Sequence, residues 1–471
     1  MKKIIIIGGG ISGLATAWLL RAKAQEAGVE IDITLLEKEP RVGGKIQSIK
    51  ADGYTCEWGP NGFLDSKPQT LELCRSIGVE NNLHRSNDNA RKRFIYSGSE
   101  LHRLPEGAAS FLKSRLISWP GKLRLALEPT PFIAPAPVGV DETLADFGRR
   151  RLGAEALDKL IAPMVSGIFA GDPETMSLKS CFPRIAELEA EYGGLIMAMI
   201  RLAKKKKAEV AAGKAVASAA GPAGVLTSFK GGIQDLTDIL VAELGMTIVR
   251  SGEEAVKVVK GDSVPWRVIT TGGEFNADAV ILATPAYVSA DFLREAAPEV
   301  SSVLGQIPYS TMTVACFGYE KEQIKYDLNG FGYLVPKQEK LSTLGTLWDS
   351  SIFSGRAPEG KVLLRSMMGG ACFPEYIKLS DAEVESRVRS DLEKTMGIKA
   401  APSFIRIFRH DKAIPQYTVG HGKRLEALAG LLKKQPGLLL TGNSYRGIGL
   451  NDCVAAANRG AEEALSQLKS C

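Results

Sequence analysis

The head of the chain carries a strand–glycine–helix signature that leaves few folds open to it. Ile4 to Ile7 form an apolar run that reads as a buried parallel strand, Gly8, Gly10 and Gly13 complete a G-x-G-x-x-G spacing, and Ile11 to Ala24 reads as a helix. Each glycine has its own task in such a unit. Gly8 permits the tight turn, Gly10 keeps a Cβ out of the space a pyrophosphate needs, and Gly13 lets helix and strand pack closely. The helix start, with Ile11 and Ser12 in its first turn, then faces the phosphates. A second strand, Ile31 to Leu36, closes at Glu37. Its carboxylate sits where a ribose 2′-hydroxyl is held and would repel a 2′-phosphate. The expectation is a Rossmann-like unit that binds a dinucleotide.

Lys38 follows, and Arg41, Gly43 and Gly44 extend the loop as R-x-G-G. This continuation resembles a large flavoprotein family of amine oxidases, carotenoid desaturases and porphyrinogen oxidases, and the resemblance implies FAD in preference to NAD. In that setting Arg41 adds a charge-assisted donor near the pyrophosphate, and the glycine pair lets the chain pass close to the ribityl chain. Two further pieces are expected to complete the dinucleotide fold. In the middle of the chain, Phe229 to Leu244 reads as a helix, and Thr247 to Arg250 and Asn276 to Pro285 as strands. At the end, Leu438 to Thr441 reads as a strand, Gly442 to Gly449 as a loop and Asn451 to Leu465 as a helix. That helix start would face the flavin pyrimidine oxygen as it gathers negative charge, with Ile448, Gly449 and Leu450 against the ring. Ala255 and Val256 complete the expected cofactor set.

Composition removes other classes. A net charge of +6 spread over 471 residues, with no nucleic-acid-binding motif, argues against DNA or RNA, while an anionic substrate or membrane surface stays compatible. Cys56, Cys74, Cys181, Cys316, Cys372, Cys453 and Cys471 lie far apart, with no C-x-x-C or His-rich metal pattern. They read as reduced thiols of a cytoplasmic protein without a metal site. The uncharged stretch Ile4 to Leu20 is short and glycine-punctuated, so neither an export signal nor a transmembrane helix is expected. His84, His102, His410 and His421 are scattered and read as structural. No Ser/His/Asp or Cys/His nucleophile arrangement is credible.

The fold expected is α/β, or α+β overall: a Rossmann-like FAD-binding domain from residues 1–59, 225–285 and 421–471, a mixed-sheet substrate domain from 60–92 and 286–420, and a helical domain over 93–205. Residues 286–420 read as alternating strands with few helices. Ser110 to Pro137 combines Phe111, Leu112, Leu116, Trp119, Leu125 and Phe132 with Lys113, Arg115, Lys122 and Arg124, a pattern that suits either a membrane interface or a helix on the protein's own core. Residues 206–224 read as a mobile connection.

RFIYSGSELHRLP (Arg93 to Pro105), SGIFAGDPETMS (Ser166 to Ser177), GFGYLVP (Gly330 to Pro336), TLGTLWDSSIF (Thr343 to Phe353), IPQYTVGH (Ile414 to His421) and GNSYRGIGLNDC (Gly442 to Cys453) together closely resemble the oxygen-dependent porphyrinogen oxidases. The resemblance spans nearly the whole chain. It implies a flavoenzyme peripheral on the cytoplasmic face of a membrane, oxidising a porphyrinogen with dioxygen as acceptor. By position, Arg93 would pair with a substrate propionate, Leu334 and Leu347 would sandwich one pyrrole ring, and Met367 would pack near another. Gly167 and Ile168 would line the cavity, and Gly59, Pro60 and Asn61 would meet the flavin, with Asn61 steadying the substrate. Plant members carry an aromatic side chain where this chain has Met367, which puts ring stacking at that wall in doubt. The reaction implied removes six electrons in three hydride transfers, yields hydrogen peroxide and needs no acid–base side chain. Protoporphyrinogen, with two propionates, is the leading substrate, coproporphyrinogen, with four, the alternative, and a flavin amine oxidase or carotenoid desaturase a more distant one. A non-enzymatic relative, of the kind that binds prenylated GTPases, is disfavoured by the intact glycine loop, Glu37 and R-x-G-G. A homodimer is left open.

Overall fold

The computed structural model of the chain describes residues 1–130, 132–135, 139–211 and 224–469. The apolar run at the head forms the central strand, Lys2–Ile7, of a five-stranded parallel sheet. Ile31–Glu37 and then Val249–Ser251 lie on one side of it, Ala279–Leu282 and Leu438–Leu440 on the other. The sheet thus joins the two ends of the chain to its middle. Ile4 to Ile7, Ala279–Leu282 and Leu438–Leu440 are unbroken apolar runs because both faces of the sheet are covered there. Helices Ile11–Glu26, Gln234–Leu244 and Leu450–Lys469 pack on one face. A three-stranded antiparallel sheet (Ala255–Lys260, Trp266–Thr270, Glu274–Ala277) and helices Ala286–Phe292, Pro298–Gly305 and His421–Leu432 pack on the other.

Two local expectations change here. The strand read over Asn276 to Pro285 is split at Asp278, so that Glu274–Ala277 joins the antiparallel sheet and Ala279–Leu282 the parallel one. The Asp278 carboxylate accepts from Lys2 Nζ (3.2 Å) and from the Lys3 backbone N–H (2.8 Å), which pins the crossover to the first strand. Phe229 ends a strand, Leu226–Phe229, and the helix begins only at Gln234, after a turn in which Gly232 has φ +116°.

The second layer is a seven-stranded mixed sheet. Its order is Phe404–His410, Met312–Glu320, Lys361–Gly369, Thr343–Leu347, Gly332–Leu334, Arg93–Ser97, Glu100–Arg103. Residues 93–103 are therefore strands, not the start of the helical region. Gly98 and Ser99 both take positive φ in a two-residue hairpin turn, which the sequence S-G-S permits. The expectation of few helices over 286–420 also fails: besides the two short helices already placed, Asp381–Met396 runs for 16 residues, opened by a Ser380/Glu383 capping box and closed by Gly397 at φ +69°. Its Val384, Val388 and Leu392 cover one face of the sheet through Tyr333, Leu364 and Met368.

Residues 60–85 side with the first layer. Phe63–Leu64 and Leu83–Arg85 pair with Leu226–Phe229, and Leu73, Cys74, Ile77 and Val79 enter the core under the parallel sheet. The helical region follows from Ala108–Lys113 to Leu195–Ala211. Arg150 and Arg151 tie it together by ion pairs to Glu142 (2.7 Å) and Glu189 (2.7 and 2.5 Å), all little exposed. The last helix extends into the connection expected from residue 206; residues 212–223 of that connection lie outside the described residues.

Candidate active site

The glycine loop has the shape of a cradle. Gly8 turns at φ +109°, and a Cβ on Gly13 would stand 1.9 Å from the Gly8 carbonyl oxygen. A Cβ on Gly10 would meet nothing within 4 Å, and no side chain caps the helix that starts at Ile11 and Ser12. Open space above an uncapped helix start, edged by glycine, suits a pyrophosphate. Glu37 closes the cradle: its Oε2 accepts from Gly9 N–H (2.7 Å) and its Oε1 from Glu39 N–H (2.9 Å). The second glycine loop runs beside the first, with Gly43 N–H donating to Gly9 O at 2.8 Å.

Arg41 has a different employment from the one expected. Its guanidinium donates to the carbonyls of Val42 (3.1 Å), Ile46 (3.0 Å) and Gly44 (2.5 Å), so it braces its own loop. Burial lowers its pKa against the pull of Asp238. The neighbouring cation was missed in the sequence reading. Lys45 donates to the carbonyls of Lys412 and Ala413, both at 2.5 Å, and burial lowers its ammonium pKa to about 8. A lysine immediately after R-x-G-G was the available signal.

The remaining expected cofactor residues lie on three other segments. Glu253 N–H donates to Glu37 O (3.0 Å), which brings the strand of Ala255 and Val256 alongside the Glu37 end. Ala255 is buried and Val256 exposed, while Lys38 reaches out to pair with Glu39. Gly59 lies against Lys45, whose carbonyl oxygen is 2.5 Å from the position of a Gly59 Cβ. At the carboxy-terminal end, Gly449 N–H donates to Asp452 at 3.2 Å and Ile448 packs toward the helical region, just before Leu450 opens the last helix.

The seven-stranded sheet supplies the other wall. Cross-strand pairing sets Arg93, Gly332, Leu347 and Arg365 in one row, and Ile95, Leu334, Gly345 and Met367 in the next but one. Residues two apart share a face, so Arg93, Leu334, Leu347, Arg365 and Met367 all lie on the face opposite the helix Asp381–Met396. Leu334, Leu347 and Met367 are half-buried there. Gly167 meets them from the helix Ala162–Phe169: a Cβ on it would come within 2.7 Å of Leu334 Cδ2. Ile168 is exposed beside it. Arg93 has no ion-pair partner among the described residues; its guanidinium lies 5.3 Å from the Phe331 ring centre. Its side chain is open to solvent, yet enough protein crowds the guanidinium for desolvation to lower its pKa.

Beneath this face lies a buried polar group that sequence reasoning did not find. Arg365 pairs with Asp349 at 2.9 Å and donates to the carbonyls of Glu57 (3.2 Å) and Gly59 (3.0 Å). Asp349 in turn accepts from Asn61 Nδ2 at 3.3 Å, and Glu57 pairs with Arg356 at 3.0 Å. Desolvation raises the carboxyl pKa of both Asp349 and Glu57, and the arginines oppose it. The Gly59–Pro60–Asn61 segment is thus held from both ends against the sheet. A charge inside V-L-L-R-S-M-M was the signal.

The family-specific motifs interlock. Gln416 Nε2 donates to Phe169 O (2.8 Å), and Tyr417 OH donates to Asn443 O (2.5 Å) while its ring stacks on His421 at 4.2 Å. His421, His410 and His102 bond backbone carbonyls and His84 a serine hydroxyl, all as structural members.

The model of the flavin-containing amine oxidoreductase family matches residues 11–465. The chain is 33% identical to a coproporphyrinogen III oxidase of Bacillus subtilis (strain 168), covering 100% of this chain and 99% of that one. It is 32% identical to a chloroplastic protoporphyrinogen oxidase of Oryza sativa subsp. japonica, covering 98% and 87%. A crystal structure from Exiguobacterium sp. 255-15, provisionally assigned as a protoporphyrinogen oxidase, superposes with a TM-score of 0.83 at 27% identity over 99% of each chain. Reduced UDP-galactopyranose mutase, at 14% identity and a TM-score of 0.75, shares the fold.

Proposed function

The chain belongs to the family of flavin-containing amine oxidoreductases, and on that premise we propose that it is a FAD-dependent oxidase that converts a porphyrinogen to the porphyrin by removing six electrons. One observation carries the reading: an apolar sheet face of Leu334, Leu347 and Met367, bordered by Arg93, a cation with no ion-pair partner among the described residues, stands over the Gly59–Asn61 segment. A flat, apolar macrocycle with carboxylates on its edge fits such a wall. In this reading Gly8, Gly10 and Gly13 admit the pyrophosphate, Glu37 holds the ribose, Lys45 adds the nearby cation, and Ile448, Gly449 and Leu450 border the ring. Bound FAD supplies the two-electron chemistry in three rounds, with dioxygen reduced to hydrogen peroxide. The protein's own share is to bind the macrocycle flat, to fix its edge by charge and to keep water from the apolar wall.

Protoporphyrinogen IX is the leading substrate. Coproporphyrinogen III is a second reading, supported by the end-to-end match to the Bacillus subtilis relative. Steady-state rates of the yellow holoenzyme on both porphyrinogens, with oxygen uptake and peroxide followed together, decide between them. Oxidation of neither, with normal FAD content, ends the proposal.

The protein is proposed to work in the cytoplasm, peripheral to a membrane. Among the described residues no helix is long and apolar enough to cross one. Helices Ala108–Lys113 and Trp119–Ala126 border a groove lined by Leu112, Lys113, Arg115 and Trp119, and they expose Leu112, Trp119 and Leu123. Exposed apolar side chains beside basic ones suit an anionic lipid surface. Other members of the stretch turn inward: Leu116 and Leu125 are buried, Lys122 is buried and donates to Leu112 O and Ser114 O, Arg124 donates to the carbonyls of Arg150 and Arg151, and Phe111 packs with Ile117, Leu125 and Ala156.

A further inference from the structure

Asn61 is buried, with 9% of its surface exposed, and its two amide atoms have different fates. A carboxylate only accepts, so the atom 3.3 Å from Asp349 Oδ1 is the amide nitrogen, and the carbonyl Oδ1 is the other. That Oδ1 has no hydrogen-bond partner among the described residues. A buried acceptor left bare costs free energy, which a donor on a bound ligand would recover. Asn61 stands two residues from Gly59, whose carbonyl is held by Arg365 on the face that bears Leu347 and Met367.

We propose, resting on the porphyrinogen reading above, that Asp349 is a positioning residue that fixes the Asn61 amide with its oxygen toward the substrate, where it accepts a hydrogen bond from a pyrrole N–H. The chemistry of the macrocycle gives this orientation a purpose. A porphyrinogen carries four pyrrole N–H donors and no ring-nitrogen acceptor, whereas the porphyrin carries two N–H groups and two nitrogens with in-plane lone pairs. A fixed acceptor therefore favours the reduced ring and disfavours the product. As a hydride leaves the bridging carbon for the flavin that this site would hold, positive charge grows on the adjacent pyrrole N–H, whose proton then passes to solvent because an amide oxygen does not take it; the hydrogen bond strengthens during that step, so its contribution falls on the chemistry. Arg365 holds the Asp349 carboxylate from the other side at 2.9 Å and so keeps the acceptor of the amide nitrogen in place.

The test uses FAD-loaded enzyme and anaerobic flavin reduction by porphyrinogen, with product inhibition by the porphyrin measured in parallel. Asn61→Leu is expected to slow flavin reduction about tenfold or more and to raise the affinity for porphyrin relative to porphyrinogen, with FAD content unchanged. Asp349→Asn, which lets the amide turn, is expected to show a smaller loss of the same kind. The double variant is expected to be no slower than Asn61→Leu, because Asp349 acts through Asn61. If Asp349→Asn fails to fold around its unpaired Arg365, Asp349→Glu, which keeps the charge and shifts the carboxylate, takes its place. Additive losses in the double variant, or an unchanged porphyrin-to-porphyrinogen ratio in Asn61→Leu, overturn the proposal. A weakened FAD affinity in Asn61→Leu with porphyrinogen binding unchanged also overturns it, since the oxygen would then serve the flavin imide. Failure of the wild-type enzyme to reduce its flavin with any porphyrinogen rejects the function itself, a separate result.

Discussion

The carbonyl oxygen of Gly8 lies 1.9 Å from the place a Cβ on Gly13 would occupy, while a Cβ on Gly10 in the same loop would meet nothing within 4 Å. The two glycines are therefore required for different reasons. Gly13 is a packing glycine, where helix and turn touch, and Gly10 is a vacancy kept for a ligand.

Gly10→Val should fold and purify colourless, because its Cβ meets no protein atom within 4 Å and its branches extend into the pyrophosphate space. Gly13→Ala should instead lower the stability of the apoprotein, by about 1–3 kcal/mol or more, since backbone must move to admit the methyl group. Flavin content by absorbance and urea unfolding of the apo forms separate the two. Equal apoprotein stability losses in both variants would remove the distinction.

Arg93→Ala should raise KM for the porphyrinogen with kcat little changed, because the propionate does not react. Arg93 is partly open to solvent, so the effect is expected to be roughly five- to tenfold, about 1–1.4 kcal/mol. Arg93→Lys should recover part of it, keeping charge but losing the fork. An unchanged KM with normal FAD content would leave the substrate edge without this anchor.

Trp119 and Leu123 stand one helical turn apart and are 67% and 66% exposed. Replacing both by Ser should shift the protein from anionic vesicles to solution in a flotation assay, with activity on detergent-dispersed substrate retained. Phe111→Ser should instead lower stability, since Phe111 packs inside. Retained vesicle binding in the double variant would end the membrane reading.

Much of the dinucleotide unit was legible because glycine spacing and apolar runs are local signals, and the same holds for the strand character of residues 286–420, where Met312–Glu320 and Lys361–Gly369 form nine-residue strands. The hairpin Arg93–Arg103 was assigned to the helical region because its partner, Gly332–Leu334, lies over two hundred residues away and is only three residues long. The Asp349, Arg365 and Asn61 group was invisible for the same physical reason. A charge in an apolar strand reads as an anomaly until its partner, brought by another element, is seen. Arg41 adds a contact that the motif alone did not show: its guanidinium braces its own loop through the carbonyls of Val42, Gly44 and Ile46.

His421 gives a prediction in pH. Its Nε2 bonds the Tyr445 carbonyl at 2.9 Å, so Nε2 carries the hydrogen and the partnerless Nδ1 is the site a proton must take. Desolvation, helped by Arg424 and Arg446, lowers the imidazole pKa below its usual 6.5, against the Tyr445 bond. Between 6.5 and the lower folded value the unfolded chain binds the proton and the folded chain does not. Stability is therefore undiminished above about pH 6.5 and falls as pH drops through that window, by up to about 1.4 kcal/mol per pH unit for each such group. His410, lowered chiefly by burial as well, adds to the slope. His421→Gln keeps a donor for Tyr445 and cannot titrate, so its unfolding free energy should fall less steeply between pH 7 and 5.5, even where its stability at pH 8 is lower. Because Tyr445 belongs to the loop Gly442 to Gly449, FAD release on acidification should move to lower pH in the same variant. Urea unfolding and flavin fluorescence across that range measure both, and a slope identical to wild type would show that His421 titrates alike in the folded and unfolded chain.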